Sequence, residues 1–142
     1  MPTTLLLPCL TIAGLFTAAL GTLHFFFPVL WDFAQAIPRE GAALRPMRLG
    51  PLRYGIQRSD VYGIAWVMNH AASYTLVTIG ALDLLAARWL GTSLGGVLAL
   101  WIAGFWFIRA ASQLYLGRRL GDWLILAGFA LLGLLHLWAA TI

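Results

Sequence analysis

The sequence predicts an all-α integral membrane protein, a four-span antiparallel helix bundle with both termini on the non-cytoplasmic side. Three observations carry this prediction: long apolar stretches, few charged residues and an uneven distribution of arginine. Of the 142 residues, 61% are hydrophobic and 10% are charged, whereas a soluble domain typically carries about 25% charged residues. Because the apolar stretches take up most of the chain, we expect residues 1–142 to form a single transmembrane domain.

Four stretches are long enough to span a membrane, because about 20 apolar residues in a helix cross the hydrocarbon core. They lie at about residues 5–30, 61–82, 94–116 and 123–142. The first lacks the basic start of a cleaved signal peptide and is too long for one, so we expect it to be a span. The later connections are short, which makes successive spans antiparallel neighbours in space.

The connection between the first two spans, residues 31–60, is long and irregular. It contains Pro38, Pro46 and Pro51 together with three glycines, a density that disfavours a long helix. It also keeps several large apolar residues and five arginines. We interpret it as a segment on the membrane interface, with apolar side chains toward the lipid and arginines toward the phosphates. An ordinary solvated linker is the alternative.

The arginines predict which loops face the cytoplasm. The first loop holds five of them and the third holds Arg118 and Arg119, whereas the second holds only Arg88. The positive-inside rule therefore places the first and third loops in the cytoplasm and both termini outside. We expect the plasma membrane of a prokaryote as the location. Anionic lipid at the cytoplasmic face accounts for the formal net charge of +4, so no nucleic-acid partner is expected.

Small residues mark one face of the first span. Gly14, Thr17, Gly21 and His24 follow each other at intervals of three, four and three residues, which places them on one side of a helix. Such residues let helix backbones approach closely in lipid.

The lone Cys9 excludes an intrachain disulfide and a cysteine-based metal cluster.

Five polar residues are expected to lie at similar depth in the cytoplasmic half of the bundle. Arg109 is the only charged residue inside the four predicted spans, and a charge there costs at least ~2.5–3.5 kcal/mol. By helical rise it lies ~10 Å from the cytoplasmic end, with Gln113 one turn nearer the surface. Asn69 and His70 lie ~12–14 Å deep and His24 ~6–9 Å deep. We predict that these five residues bind a ligand.

A structural role is the alternative for every member of this group. Arg109 is close enough to the surface to reach the headgroups with its stem in apolar surroundings. Amide and imidazole side chains also cross-link helices in membranes, at ~0.6 kcal/mol each. His136 lies in the outer half of the fourth span and is placed outside the group.

The residue types favour a ligand with an apolar body and a polar head, quinone- or lipid-like. The arginine fork suits phosphate or carboxylate, and histidine donates, accepts or carries a proton near neutral pH. A b-type haem is a further alternative, since His24 and His70 are the only histidine pair at compatible depth. No metal site is expected, because two histidines fall short of three or four ligands. No catalytic motif is present, so catalytic residues stay unassigned and enzymatic activity stays open.

One family resemblance accompanies this interpretation. The segment Gly21–Pro28, with His24 before Phe25, followed by Ile37-Pro38, resembles the end of the first span in DoxX-like small four-helix membrane proteins. The resemblance covers the first span only, the distance from His24 to Pro38 is longer here, and the second span departs from the family pattern. It implies a four-helix fold and, for some members, a link to quinone-coupled redox chemistry.

The combined expectation is a small, redox-associated membrane protein that holds a hydrophobic ligand by its polar head. The alternative is a non-enzymatic structural or accessory subunit, with other membrane subunits or further copies of the chain as partners. A transporter or channel component is a third class, although one arginine and few polar side chains make a poor aqueous path.

Overall fold

The computed structural model describes residues 2–42, 44–116 and 119–142, and it is mostly helical (76%). Four long helices account for most of this content: α1 at Pro2–Phe25, α4 at Arg58–Leu84, α6 at Ser93–Ser112 and α7 at Leu120–Ala139. The shorter elements are α2 at Phe27–Leu30, α3 at Phe33–Ala36, β1 at Met47–Leu49, β2 at Leu52–Tyr54, α5 at Ala86–Trp89 and a 3-10 helix at Gln113–Tyr115.

Among the described residues, three helical segments are long and apolar enough to cross a membrane: Thr4–Phe25, Ser93–Tyr115 and Leu120–Ala139. They overlap the first, third and fourth predicted spans. Helix α4 is the longest, with 27 residues, but it carries Arg58, Asp60 and Asp83 near its ends and Asn69 and His70 along its length. These side chains make it less apolar, and its role as a fourth span stays a prediction.

The first helix is shorter than the predicted span at residues 5–30. Helix α1 ends at Phe25, and α2 starts separately at Phe27. Pro28 sits at the start of α2, where its missing N–H and fixed φ are tolerated. Inside a continuous helix the same proline would remove a hydrogen bond, so the chain breaks at Phe26.

The loop at residues 31–60 contains no long helix among its described residues, and it forms a β-hairpin. Strands β1 and β2 pair antiparallel, with Met47 opposite Tyr54. Gly50 and Pro51 form the two-residue connection, and the φ of Gly50 is 59°. A positive φ at glycine followed by the fixed negative φ of proline fits a type II′ turn, one of the turns that join twisted strands. The hairpin is the element that the all-α prediction omits.

The chain folds as two compact units. The terminal unit comprises residues 1–16 and 79–142, and the central unit comprises residues 17–78. The core of the terminal unit is a cluster of small and aliphatic side chains: Leu6, Leu10, Ala86, Ala99 and Ala139. Helices α6 and α7 also pack closely at Gly133, which leaves room for the ring of Phe107.

Glycines bring α1 and α4 close together within each unit. In the central unit, a Cβ on Gly21 would stand 2.7 Å from the backbone nitrogen of Val77. In the terminal unit, a Cβ on Gly14 would stand 2.8 Å from the Cβ of Asp83. The buried Thr17 lies between them in the sequence. The small-residue face of the first span is thus used for close helix packing.

Candidate functional site

Arg109 and Gln113 form a hydrogen-bonded pair in the terminal unit. Arg109 lies in the last turn of α6, and Gln113 begins the 3-10 helix that follows. The Nη1 of Arg109 donates to the Oε1 of Gln113 at 3.2 Å. Gln113 is buried and Arg109 is partly buried. The spacing of four residues that placed both on one side of a helix brings their side chains together.

The guanidinium of Arg109 has an aromatic neighbour and, among the described residues, no carboxylate partner. Its central carbon lies 5.3 Å from the ring centre of Phe129 in α7. Among the described residues, the ion pairs are those of Arg119 with Asp122 and of His136 with Asp83. Arginine has five N–H donors, so the bond to Gln113 leaves most of this donor capacity for another group.

Trp106 adds a second donor on the same side of α6. Its side chain is fully buried and its ring centre lies 5.2 Å from that of Phe129. The indole N–H finds no acceptor among the described residues, although buried donors are usually paired. Trp106, Arg109, Gln113 and Phe129 are called the Arg109 site below. The sequence placed Trp106 and Phe129 in spans but gave no signal that they meet.

In the central unit, His24, Asn69 and Ser73 form a hydrogen-bond network between α1 and α4. The Nδ2 of Asn69 donates to the carbonyl oxygen of His24 at 2.9 Å. The hydroxyl of Ser73 donates to the carbonyl oxygen of Asn69 at 2.7 Å and lies 3.1 Å from the Nδ1 of His24. Because the hydroxyl proton is already used, Nδ1 of His24 must donate. In the neutral ring, Nε2 is then the acceptor nitrogen.

His70 has different surroundings from His24. Its side chain is exposed and lies against two aromatic rings, with centres 5.5 Å from that of Trp66 and 5.9 Å from that of Phe25. The predicted site residues therefore fall into two groups, one in each unit. Arg109 and Gln113 belong to the terminal unit and His24, Asn69 and His70 to the central unit. Their convergence into one layer stays a prediction.

A buried acid–histidine pair that the sequence analysis missed lies in the terminal unit. The Nε2 of His136 lies 2.9 Å from the Oδ1 of Asp83, and both side chains are 0% exposed. The predicted second span at residues 61–82 ends just before Asp83, but α4 continues through Leu84. The sequence offered two signals for this pair: Asp83 lies one residue beyond the predicted second span, and His136 lies in the outer half of the fourth.

The hydrogen bonds of His136 fix how this pair holds its protons. Nδ1 lies 2.7 Å from the carbonyl oxygen of Leu132, which only accepts, so Nδ1 carries a proton. One further proton lies between Nε2 and the carboxyl of Asp83. Whether that proton is on the ring or on the acid, the pair as a whole is neutral. This neutrality allows both groups to be fully buried, although the Oδ2 of Asp83 has no partner among the described residues.

Within the described part of the chain, no group of three or more histidine, cysteine or acidic side chains is placed to hold a metal ion.

Comparison with known proteins finds no family model, no curated protein and no solved structure that matches this chain. The resemblance of the first span to DoxX-like proteins therefore stays a prediction.

Proposed function

We propose that this chain is a small four-span membrane protein that holds a hydrophobic ligand by its polar head in the cytoplasmic half of the bundle. The ligand is quinone- or lipid-like, and Arg109 binds its anionic or carbonyl oxygen. The observation that carries the proposal is a partly buried guanidinium in a span, with Gln113 as its hydrogen-bond partner and no carboxylate beside it among the described residues.

Energetic cost supports a ligand at this position. A charged side chain inside a span costs at least ~2.5–3.5 kcal/mol, and the single hydrogen bond from Arg109 to the amide oxygen of Gln113 offsets only part of that cost. A hydrogen bond to a charged group contributes about 1.5–3 kcal/mol. An oxygen-bearing headgroup that accepts two N–H groups of Arg109 offsets most of the cost.

The aromatic side chains of the Arg109 site suit the body of such a ligand. Trp106 and Phe129 supply large apolar rings beside the guanidinium, and the indole N–H of Trp106 lacks an acceptor among the described residues. Ligand sites commonly combine apolar walls with a few polar groups.

Arg109→Leu is expected to lower the amount of ligand that co-purifies with the protein by about 10- to 100-fold, since the lost hydrogen bonds involve a charged group. The protein should still insert and fold, because an apolar replacement of a buried ion is often tolerated. The measurement is mass spectrometry of the organic extract of purified protein, with quinones and lipids quantified per mole of chain. Arg119→Leu, at an exposed arginine in the next loop, is the matched control.

Two results would contradict the ligand proposal. Equal ligand content in wild type and Arg109→Leu would leave Arg109 a structural role, as in an accessory subunit. A Soret band in the absorbance of wild-type protein, lost in both His24→Ala and His70→Ala, would favour the haem alternative instead.

We also propose that the arginine-rich loops face the cytoplasm. In a Cys9→Ala background, a cysteine at Arg45, in the Arg45–Arg53 region but before strand β1, should resist an impermeant thiol reagent in intact cells and react after permeabilisation. Cysteines at Thr4 and Thr141 should react in intact cells. The reverse pattern would show that the positive-inside rule gives the wrong orientation for this chain.

A further inference from the structure

The β-hairpin in the first loop has two chemically different faces. Residues directly opposite each other in an antiparallel pair share a face, and successive pairs alternate between faces. The register places Arg48 opposite Arg53, so these two arginines share one face. The other face, called the apolar hairpin face below, is formed by Met47, Leu49, Leu52 and Tyr54.

The apolar hairpin face lacks a covering partner within the described residues. Its side chains are exposed, from 43% for Met47 to 70% for Leu52. A lone two-stranded hairpin is marginally stable in water, and it normally needs an apolar surface to pack against. We therefore expect the apolar hairpin face to pack against an apolar surface.

The hairpin face that carries Arg48 and Arg53 is expected to bind an anion. Arg48 and Arg53 are directly opposite, and like charges in such positions destabilise a hairpin. Neither has a hydrogen-bond acceptor or acidic partner among the described residues. Two other loop arginines do have neighbours: Arg39 lies 3.9 Å from the ring centre of Tyr62, and Arg58 donates to the carbonyl oxygen of Ala42.

The chain length holds the hairpin near the end of α4. Only residues 55–57 separate Tyr54 from Arg58, the first residue of that helix. The four Cα–Cα steps from Tyr54 to Arg58 reach at most about 14 Å. If α4 is the second span, as proposed above, the hairpin must lie at the membrane surface. A bilayer interface offers an apolar layer beneath a layer of phosphates, which matches the two faces.

We propose that the hairpin at residues 47–54 docks on the bilayer surface, with its apolar face among the acyl chains and Arg48 and Arg53 bound to the phosphates of anionic phospholipids. This inference rests on the proposed span of α4 and is independent of the ligand at the Arg109 site. Docking gives the opposed arginines a shared counter-charge and covers the exposed apolar face.

The test uses the full-length protein with Cys9→Ala, reconstituted in vesicles of phosphatidylcholine with or without phosphatidylglycerol. A nitroxide is attached to a cysteine at Leu52, and in a separate variant at Glu40, an exposed residue of the same loop outside the hairpin. Power-saturation spectroscopy with oxygen and a water-soluble nickel complex reports the depth of each label. With phosphatidylglycerol, the label at position 52 should be shielded from nickel, and the label at position 40 should not.

Charge removal should then reverse the docking. Arg48→Gln with Arg53→Gln should lower the ratio of docked to undocked hairpin by about 30-fold, roughly 5-fold for each arginine. Arg48→Lys with Arg53→Lys should keep it, since the attraction is mainly electrostatic.

Three outcomes would overturn the proposal. The label at position 52 could be as accessible to nickel as the one at position 40, or its depth could be unaffected by phosphatidylglycerol and by the Gln substitutions. Spin–spin broadening between labels at position 52 would show that a second copy covers the face. The thiol-labelling experiment separates these outcomes from a failure of the four-span topology.

Discussion

Asp83→Ala is expected to lower the free energy of unfolding by about 1–3 kcal/mol, the usual cost of leaving a buried hydrogen-bonding group unsatisfied. Asp83 and His136 are both 0% exposed and lie 2.9 Å apart. Without the carboxyl, Nε2 of His136 has no partner in the terminal unit while Nδ1 still donates to Leu132. An ordinary hydrogen bond between membrane helices contributes only ~0.6 kcal/mol. The size of the loss therefore distinguishes a buried pair that stabilises the fold from one ordinary interhelical hydrogen bond. Unfolding by titration with a denaturing detergent measures it.

Asp83→Asn is the matched control. An asparagine amide can donate to Nε2 while Nδ1 keeps its proton for Leu132, so every hydrogen bond of His136 survives. We expect a loss below about 1 kcal/mol, in the range of an ordinary neutral hydrogen bond.

A double-mutant cycle completes the test. With His136→Ala, the cycle should show a coupling energy that accounts for most of the loss in each single variant. If Asp83→Ala and Asp83→Asn destabilise equally, or if the coupling energy is near zero, the pair does not stabilise the fold in the way described here.

The sequence predicted the helices more reliably than their ends. Apolar length alone identified the three segments that the structure shows to be long and apolar enough to cross a membrane. Helix ends depend on local chemistry that length does not record, such as Pro28 at the start of α2. Asp83 was missed for this reason, since a difference of two residues at the end of α4 moves it into the helix.

The hairpin shows a different limit. Met47-Arg48-Leu49 and Leu52-Arg53-Tyr54 alternate apolar and charged residues around Gly50-Pro51, which is a hairpin pattern. The density of proline and glycine around it indicated an irregular loop, and three-residue strands are too short to stand out against that background.

The candidate site was predictable only within one helix. Arg109 and Gln113 are four residues apart, and this spacing brings them together whatever the tertiary structure. Phe129 and Trp106 come from α7 and α6, and their contact depends on how those helices pack. The same holds for His24 and Ser73, which are 49 residues apart in the chain. Such contacts require the register between helices, which one sequence does not contain.

Gly95→Ala is expected to destabilise the protein by about 2–4 kcal/mol, although alanine is the better helix former by about 1 kcal/mol. Gly95 lies in the first turn of α6, and its N–H donates to the hydroxyl of the N-cap residue Thr92 at 2.9 Å. A Cβ on Gly95 would overlap the carbonyl oxygen of Trp89. That carbonyl also accepts from the hydroxyl of Thr92 at 2.7 Å, so it cannot move without disturbing the cap. Overpacking costs about 1–3 kcal/mol, and loss of an N-cap costs about 1 kcal/mol.

The neighbouring glycine provides the control for this prediction. Gly96 lies in the same turn of α6, and a Cβ there would stand 3.6 Å from its nearest neighbour, the carbonyl oxygen of Ala140. Gly96→Ala should therefore be neutral or stabilising by up to about 1 kcal/mol. Both variants are compared by detergent-induced unfolding, followed by circular dichroism. If the two alanine variants are equally stable, the backbone of the turn between α5 and α6 shifts enough to accommodate the added methyl group. Opposite signs at adjacent positions would show that contact with the Trp89 carbonyl outweighs helix propensity at the start of α6.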